Sequence, residues 1–579
     1  MKYFANYYST GQRVELGLAG PSQSLSQLAT SLQSRNGLVL LGCLVLVVVL
    51  ALMGDRKRGK LATARFGGGK EKGAARKRAM KQIQQRRRNA VSLYIGKPAR
   101  KREARSLYLP DLQRGVAVCG GPGSGKTFSV IDPLIRSALD QRFPVVLYDF
   151  KYPTQSARHA AYAARLGYEV HVFAPGFPES GVCNPIDFLR SESDAEMARQ
   201  IATVLNKNFR LMTQSSEDGF FAAAGDQLTE ALLMLAKSTS CPDIMTAQAV
   251  LGLTNLGNRI AAAEGMNSWI RVSFNQLIGV KDAEKTASGI VGSASETFTR
   301  FMKEGVLGAF CGQTSIPLDL EGKQLLILGM DRERRDVVGP LVATVLHMII
   351  TRNVARKRQD PLIIAIDELP TLYLPTLVQW LNENREDGLA LTVGFQNLVQ
   401  LEKTYGRELA RAILGACATK AIFNPQEYEA ARMFSDFLGD EEIRYKQKSR
   451  NRGGGKTSTT ISEQDRTRKL FEPSQFLRLP LGKCVLINPG FTSRGEAAIP
   501  IQQRIKIPKV DIQAAEDSEA LWGKIHARLA SRSPQQMPTA ADLEQRRQMV
   551  EAMLPEPPAP VHPEYPDPAG LIDKYSSLL

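Results

Sequence analysis

The sequence predicts an α/β fold built on a mostly parallel sheet, with an all-α insertion domain and one N-terminal transmembrane helix. Stretches with helical periodicity separate most of the strand-like runs, as the crossover connections of a parallel sheet require. From about residue 191 to residue 304 strand-like runs are missing, while helical periodicity continues through residues 220–235. The apolar runs typical of buried strands lie at residues 115–119, 143–149, 168–174, 324–328, 362–366, 390–395, 420–423 and 484–488.

The loop after the first of these runs carries the sequence GGPGSGKT, which matches the phosphate-binding pattern G-x-x-x-x-G-K-[ST] completely. A helix-like stretch begins at Phe128, so the motif has the strand–loop–helix context that it needs. Its backbone N–H groups would surround phosphates, Lys126 would reach the β- and γ-phosphates, and the Thr127 hydroxyl would bind Mg²⁺. The predicted nucleotide-binding residues are Gly120, Gly121, Pro122, Gly123, Ser124, Gly125, Lys126 and Thr127.

A second motif completes the predicted hydrolysis site. The apolar run at residues 362–366 is followed by two carboxylates, Asp367 and Glu368. We expect Asp367 to hold Mg²⁺ through water, opposite Thr127, and Glu368 to orient or deprotonate the attacking water. Lys126 and Glu368 are therefore predicted to be catalytic.

Gln396 and Arg385 are two further predicted catalytic residues. Gln396 ends the run at residues 390–395, where its side chain would report the state of the γ-phosphate to neighbouring elements. Arg385 lies in the turn before that run. It has two interpretations: an arginine that stabilises charge in the site of an adjacent subunit, or a solvated surface charge.

An apolar stretch near the N-terminus predicts a membrane anchor. Residues 38–54 carry no charged side chain, and the basic sequence RKR begins at Arg56. Their number is close to the lower limit for a membrane-spanning helix. A buried core helix would not be apolar on every face beside a polycationic stretch, and a cleaved signal peptide would start nearer the N-terminus. The sequence predicts a single pass at residues 36–54, with the bulk of the chain cytoplasmic.

The composition shows where the charge lies and which sites are excluded. The net charge is +17, and residues 55–105 alone contain 19 lysines and arginines against three acidic residues. This basic segment would suit the phosphate backbone of DNA and equally an anionic lipid surface, so both interpretations stay open. The seven cysteines form no C-x-x-C pair, which argues against a structural zinc site or a disulfide framework.

Two polar regions near the C-terminus carry weaker signals. Residues 446–469 are almost entirely polar and are predicted to form a mobile loop. The chain beyond about Pro508 has helical periodicity at first and then becomes rich in proline. We expect this tail to be disordered at its end and usable as a partner-binding segment.

The motifs, taken in order, resemble those of the type IV secretion coupling proteins, the TraG/TraD-like branch of the FtsK/HerA-type motor ATPases. The resemblance extends from the anchor to about residue 495. Two departures are the single predicted membrane pass, where the family usually has two, and Asp149-Phe-Lys-Tyr152 in place of Asp-Pro-Lys-Gly. The matching segments are Ala64-Arg-Phe66, GGPGSGKT, Asp149-Phe-Lys151, Cys183-Asn-Pro-Ile186, the helical insertion, Ile366-Asp-Glu-Leu-Pro370, residues 392–401, Tyr405-Gly406 and residues 421–439.

The resemblance implies a RecA-like P-loop NTPase that assembles as a homo-hexameric ring with ATP and Mg²⁺ at the subunit interfaces. Arg385 falls where the family keeps its trans-acting arginine. The predicted domains are an N-terminal extracytoplasmic segment (1–35), the transmembrane anchor (36–54), a basic juxtamembrane segment (55–105), a P-loop nucleotide-binding domain (106–190 and 305–505), an all-α insertion domain (191–304) and a partly disordered C-terminal tail (506–579).

The predicted function is that of a hexameric ATPase anchored in the bacterial inner membrane. It would couple relaxase-linked DNA to a type IV secretion or conjugation channel and drive its transport by ATP hydrolysis. An alternative is a coupling ATPase that recruits and delivers protein substrates only. A third possibility is a receptor platform in which ATP merely holds the ring together, although the presence of Glu368, Gln396 and Arg385 counts against it.

Overall fold

The computed structural model describes residues 62–96, 106–213, 219–453 and 456–558. The predicted outer segment (1–35), the predicted anchor (36–54) and the end of the predicted tail (559–579) lie outside the described residues. The chain divides into two compact units. One comprises Met1–Thr63 with Asp440–Arg468, and the other comprises Ala64–Gly439 with Lys469–Leu579. The larger unit contains the central sheet.

The larger unit begins with a basic helix and a small antiparallel pair of strands, β1 and β2. The central sheet starts at the next strand. In chain order the elements up to residue 173 are α1 (Gly69–Gln85), β1 (Leu93–Ile95), β2 (Leu107–Leu109), β3 (Val116–Cys119), α2 (Asp132–Asp140), β4 (Val145–Asp149), α3 (Thr154–Arg165) and β5 (Glu169–Phe173).

Part of the predicted basic segment (55–105) is built into this unit. Residues 62–96 are described, and they contain α1 and β1. Several of their cations neutralise carboxylates of the same unit, so not all of the positive charge is free for an external polyanion. The pairs are Arg65–Glu71 at 3.0 Å, Arg78–Asp111 at 2.8 Å and Arg86–Asp360 at 2.9 Å.

A helical region follows β5, as the sequence predicted. The described residues between β5 and the next strand of the central sheet contain helices and no strand. The helices are α4 (Ala195–Thr213), α5 (Gly219–Lys237), α6 (Ile244–Leu251), α7 (Leu256–Ala262), α8 (Ser268–Ser273), α9 (Asn275–Gly279), α10 (Glu284–Phe301) and α11 (Glu304–Leu307).

The α/β alternation then resumes and ends in a long hairpin, an antiparallel edge and two helices. The elements are β6 (Gln324–Gly329), α12 (Arg335–Val354), β7 (Leu362–Ile366), α13 (Leu377–Glu383), β8 (Leu389–Phe395), α14 (Leu398–Tyr405), α15 (Arg407–Ala416), β9 (Thr419–Ile422), α16 (Tyr428–Leu438), β10 (Asp440–Gly453), β11 (Lys456–Lys469), α17 (Pro473–Phe476), β12 (Lys483–Ile487), β13 (Ile501–Arg504), α18 (Lys509–Ala530) and α19 (Ala540–Met553).

The central sheet has nine strands among the described residues, in the order β13-β12-β9-β3-β8-β7-β4-β6-β5. The strands from β9 to β5 are parallel, while β12 and β13 pair antiparallel at one edge. The predicted mostly parallel sheet is therefore confirmed. The carboxyl ends of the parallel strands lie at one edge of the sheet, which places the loops after β3, β7 and β8 side by side.

Both faces of the sheet are buried, because apolar side chains occupy both positions of the strand repeat. In β4, Val146 and Tyr148 join one core cluster while Val145 and Leu147 join the other. Helix α12 packs in the first cluster. It is the one described helix long and apolar enough to cross a membrane, but 83% of its most apolar window is buried inside the protein, which is typical of a core helix.

The expectation of a loop at residues 446–469 was wrong. The structure has two strands there, β10 and β11, which form a sheet of their own. The polar composition hid a strand signal: the sequence KTSTTI, which begins at Lys456, is rich in β-branched residues, and these favour strands.

The described part of the tail is helical and packed against the rest of its unit. The Ser518 hydroxyl of α18 donates to the Ala157 carbonyl oxygen of α3 at 2.7 Å. The guanidinium of Arg546 in α19 binds the Asp243 carboxylate just before α6. Val550 and Leu554 are completely buried. Residues 509–556 thus contact both the sheet-flanking helix α3 and the helical region.

Candidate nucleotide-binding and hydrolysis site

The glycine loop leaves the carboxyl end of β3 and leads into a helix. Its crest, Pro122 and Gly123, is exposed. Its base is held by backbone hydrogen bonds, in which Gly121 N donates to Asn424 O at 2.9 Å. Gly125 has φ +92°, a left-handed conformation that favours glycine. The first helical turn, Thr127–Ile131, is a π-helix that continues into α2. The predicted strand–loop–helix context is therefore present.

Lys126 lies at the centre of the site. Its Nζ is 3.1 Å from Oε2 of Glu368, in a salt bridge whose side chains are about nine-tenths buried. The same Oε2 accepts a hydrogen bond of 3.0 Å from Nε2 of Gln396. Three residues predicted from motifs far apart in the sequence therefore meet at one carboxylate oxygen.

Thr127 and Asp367 form a second contact beside the first. The Thr127 hydroxyl donates to Oδ2 of Asp367 at 2.7 Å. The other oxygen, Oδ1, is buried and accepts no hydrogen bond from the described residues. Burial raises the pKa of Asp367 to about 6, although the nearby Lys126 and the Thr127 hydrogen bond lower it. A carboxylate with an unused oxygen beside a hydroxyl fits the oxygen ligands that Mg²⁺ prefers.

Close strand packing brings Gln396 to this point. β8 lies between β3 and β7 in the sheet. A Cβ at Gly394 would lie 2.2 Å from the carbonyl oxygen of Asp367, so only glycine allows this approach. Gln396 follows directly after β8, and its amide therefore faces the Glu368 carboxylate. This side chain links the end of β8 to the end of β7.

The structure does not bring Arg385 to the same site. Arg385 is exposed and precedes β8, whereas Gln396 follows it. Seven strand residues separate the two ends, which is about 23 Å at the usual rise per residue. Arg385 therefore lies at the amino edge of the parallel strands and the glycine loop at their carboxyl edge.

A cavity of about 1060 Å³ opens beside Glu368 and Gln396, and its walls were not predicted from the sequence. Among the residues that line it are Lys207 on α4 and Lys403 on α14. Lys207 and Arg210 lie three positions apart on α4 and so share a helix face. This spacing is the one sign of a basic surface that the sequence offers here. That this face of α4 lies across a cavity from α14 depends on the fold.

Comparison with known families decides the class of protein. The family model described as the type IV secretion-system coupling protein DNA-binding domain matches residues 107–493, which include every residue of the site above. The chain belongs to the type IV secretion coupling proteins. The resemblance predicted from the motifs is confirmed.

This coupling protein is similar to curated relatives over part of their length. It is 25% identical to the conjugal transfer protein TraG of Rhizobium radiobacter over 394 residues, which are 64% of this chain and 60% of TraG. It is 29% identical to the coupling protein TraD of Escherichia coli K12 over 144 residues, which are 24% of this chain and 20% of TraD. The aligned regions thus span less than two thirds of either relative.

Solved structures of TrwB share the fold. The trigonal form of the conjugative coupling protein TrwBΔN70 with sulphate matches with a TM-score of 0.53 at 16% identity, over 78% of this chain and 94% of that one. TrwB in complex with ADP and Mg²⁺ matches with a TM-score of 0.50 at 14% identity, over 69% and 86%. At these identities the likeness establishes the architecture of the coupling protein.

Proposed function

We propose that this coupling protein is an ATPase of the bacterial inner membrane that acts as a homo-hexamer. It would drive relaxase-linked DNA into a type IV secretion or conjugation channel. The observation that carries the proposal is the convergence of Lys126, Thr127, Asp367, Glu368 and Gln396 at the carboxyl edge of one parallel sheet. This set supplies phosphate binding, a metal site and a base for water, which are the parts that phosphoryl transfer requires.

The contacts suggest the order of events in hydrolysis. Lys126 neutralises Glu368 in the structure. When the triphosphate occupies the glycine loop, the ammonium of Lys126 turns to the phosphates and leaves the Glu368 carboxylate free to accept a proton from water. Gln396 keeps its hydrogen bond to Oε2 and so holds the base in place. Mg²⁺ held by Thr127 and, through water, by Asp367 would neutralise charge on the phosphates.

The position of Arg385 supports the proposal of a hexamer. It is exposed at the edge of the sheet opposite the glycine loop, so in catalysis it would act on the site of another subunit and not on its own. A ring that places the amino edge of one sheet against the glycine loop of the next would add an arginine to the charge stabilisation. The site would then be complete only in the assembly.

Cargo, nucleotide and location are inferred from the relatives and the sequence. The matching family model describes a DNA-binding domain, and TraG is described as a conjugal transfer protein. These favour DNA over a protein-only cargo. TrwB has been crystallised with ADP and Mg²⁺ and with an ATP analogue, which supports the same ligands here. The uncharged stretch at residues 38–54 supports a single-pass anchor.

The deciding experiment measures ATP hydrolysis by the full-length chain in detergent, with and without single-stranded DNA. Wild type is compared with Lys126→Ala, and Lys524→Ala, an exposed lysine on α18, is the matched control. We expect hydrolysis that DNA stimulates in wild type and Lys524→Ala, and no hydrolysis in Lys126→Ala. Hydrolysis indifferent to DNA would favour protein cargo, and absence of hydrolysis in the assembled wild type would favour the receptor platform.

A further inference from the structure

The cavity beside the hydrolysis site carries an excess of positive charge. Its carboxylates number three, of which Glu368 is paired with Lys126, and one of its five cations, Arg210, is paired with Asp226. A concave site with more cations than carboxylates attracts anions. Lys207, Arg332 and Lys403 are exposed, so their charges are accessible to a ligand from solvent. The five cations of the wall are Lys207, Arg210, Arg332, Arg335 and Lys403.

One wall of the cavity presents a rigid aromatic ring. The Tyr373 ring stacks on Tyr405, with centroids 5.3 Å apart, and Nζ of Lys207 lies 5.4 Å from its centroid. Asn208 holds the Tyr373 backbone at both ends: it accepts from the N–H at 2.7 Å and donates to the carbonyl oxygen at 2.8 Å. A fixed aromatic face among cations is the combination that binds single-stranded nucleic acid, where bases stack and phosphates meet positive charge.

A helix that lines the cavity is connected to Gln396 and hydrogen-bonded to the turn after Glu368. Helix α14 begins at Leu398, two residues after Gln396, and places Gln400 and Lys403 in the lining of the cavity. Thr404 of that helix donates to the Pro370 carbonyl oxygen at 2.8 Å, in the turn that follows Glu368. A ligand held by α14 would therefore act on the Gln396 amide and on the turn after Glu368 together.

We propose that this cavity binds a segment of single-stranded DNA and that its occupancy accelerates hydrolysis through Gln396. The inference rests on the function proposed above and assigns the place where the cargo meets the motor. Single strands are favoured over duplex because a base must leave its stack to reach the Tyr373 ring. The phosphates would lie between α4 and α14, which carry Lys207 and Lys403.

Binding is tested on the full-length chain with a fluorescent thymidine oligonucleotide and a non-hydrolysable ATP analogue. Affinity is measured by anisotropy over a range of salt concentrations for Lys207→Glu, Lys403→Glu and the control Lys285→Glu, an exposed lysine on α10. Log K falls with log salt. We expect each cavity variant to make this fall less steep by about 0.7, the value for one lost single-strand phosphate contact. Lys285→Glu should keep the wild-type slope.

The coupling is tested by DNA-stimulated hydrolysis, normalised to the rate of each variant without DNA. Lys207→Glu and Lys403→Glu should need more DNA for half-maximal stimulation, and Gln396→Ala should bind DNA like wild type without being stimulated by it. The proposal would be overturned if Lys285→Glu weakened DNA binding and stimulation as much as the cavity variants do. It would also be overturned if wild type bound duplex and single-stranded DNA equally well, or if the cavity variants changed the oligomeric state and not the DNA affinity. A wild type that hydrolyses ATP while the lysine variants behave normally would refute this site alone and leave the proposed function standing.

Discussion

The ammonium of Lys126 and the carboxylate of Glu368 form a buried salt bridge of 3.1 Å, although 242 residues separate them in the chain. Each group has a different partner in the proposed reaction, the phosphates for Lys126 and water for Glu368. Nucleotide binding would therefore exchange the Lys126–Glu368 contact for contacts to phosphate and water.

The Lys126–Glu368 pair predicts that the losses of unfolding free energy in the two single variants are not additive in the double variant. Either Lys126→Ala or Glu368→Gln leaves a buried charge without its partner, which should destabilise the ligand-free protein by about 3 kcal/mol. The double variant should lose clearly less than the sum of the two, because neither charge then remains alone. Thermal unfolding of the four proteins without nucleotide measures this. Strictly additive losses would mean that the two side chains do not interact in solution.

Glu368→Gln should separate binding from hydrolysis. The amide cannot accept a proton from water, so hydrolysis should fall by about 10²- to 10⁴-fold. Nucleotide affinity should be kept, because Lys126 is still present and no longer has to leave a carboxylate. Phosphate release and titration with a fluorescent ATP analogue measure the two properties, with the exposed Glu408→Gln as control. Loss of affinity together with hydrolysis would assign Glu368 to binding only.

Arg385→Ala should abolish hydrolysis in a ring made of this variant alone, because each site would lose the arginine that its neighbour supplies. An arginine supplied in trans contributes about 10³- to 10⁵-fold to phosphoryl transfer. Mixing Arg385→Ala with Lys126→Ala subunits should restore about a quarter of the wild-type rate, since random assembly in a ring pairs an intact loop with an intact arginine at one interface in four. Arg356→Ala, also exposed, is the control. Mixtures as inactive as the separate variants would contradict an action in trans.

His347 should make the protein sensitive to acid. It is almost completely buried in α12 beside Trp380, and burial lowers its pKa to about 4. In the unfolded chain the pKa is about 6.5, so the unfolded state takes up a proton first as the pH falls. The destabilisation due to His347 is absent above pH 6.5, and it should reach about 3 kcal/mol as the pH falls from 6.5 to 4. His347→Phe should flatten this part of the curve of unfolding free energy against pH, whereas parallel curves would assign the acid loss to other groups.

Arg546 should hold the C-terminal helix α19 to the helical region. Its guanidinium binds both Asp243 oxygens at 3.0 Å in a largely buried pair. Arg546→Glu places two carboxylates together and should lower the opening free energy of α19 by about 3 kcal/mol. Hydrogen exchange in α19 and α6 measures the opening. The neighbouring Arg547→Glu is the matched control, because Arg547 is exposed and pairs within its own helix. Equal exchange in both variants would mean that the Asp243 contact does not hold the helix.

The motifs of the hydrolysis site were readable from the sequence because each is local. GGPGSGKT fixes a loop through its glycines, and an apolar run before Asp367-Glu368 predicts a strand that ends in carboxylates. The runs at residues 362–366 and 390–395 were found as β7 and β8 almost to the residue. The strands β10 and β11 were missed, since the sequence at residues 446–469 lacks the alternating apolar pattern by which strands are usually recognised.

The sequence by itself determined the family, the α/β class, the helical region and the identity of the phosphate-binding and acidic residues, because short-range periodicity and spacing encode these features. Only the tertiary structure decided which side chains meet. The strand order puts β8 between β3 and β7, so Gln396 and Lys126 share one oxygen of Glu368. It also separates Arg385 from that oxygen by the length of a strand and brings Lys207 and Lys403 to one cavity. Contacts between residues hundreds of positions apart depend on packing, which no local pattern in a single sequence records.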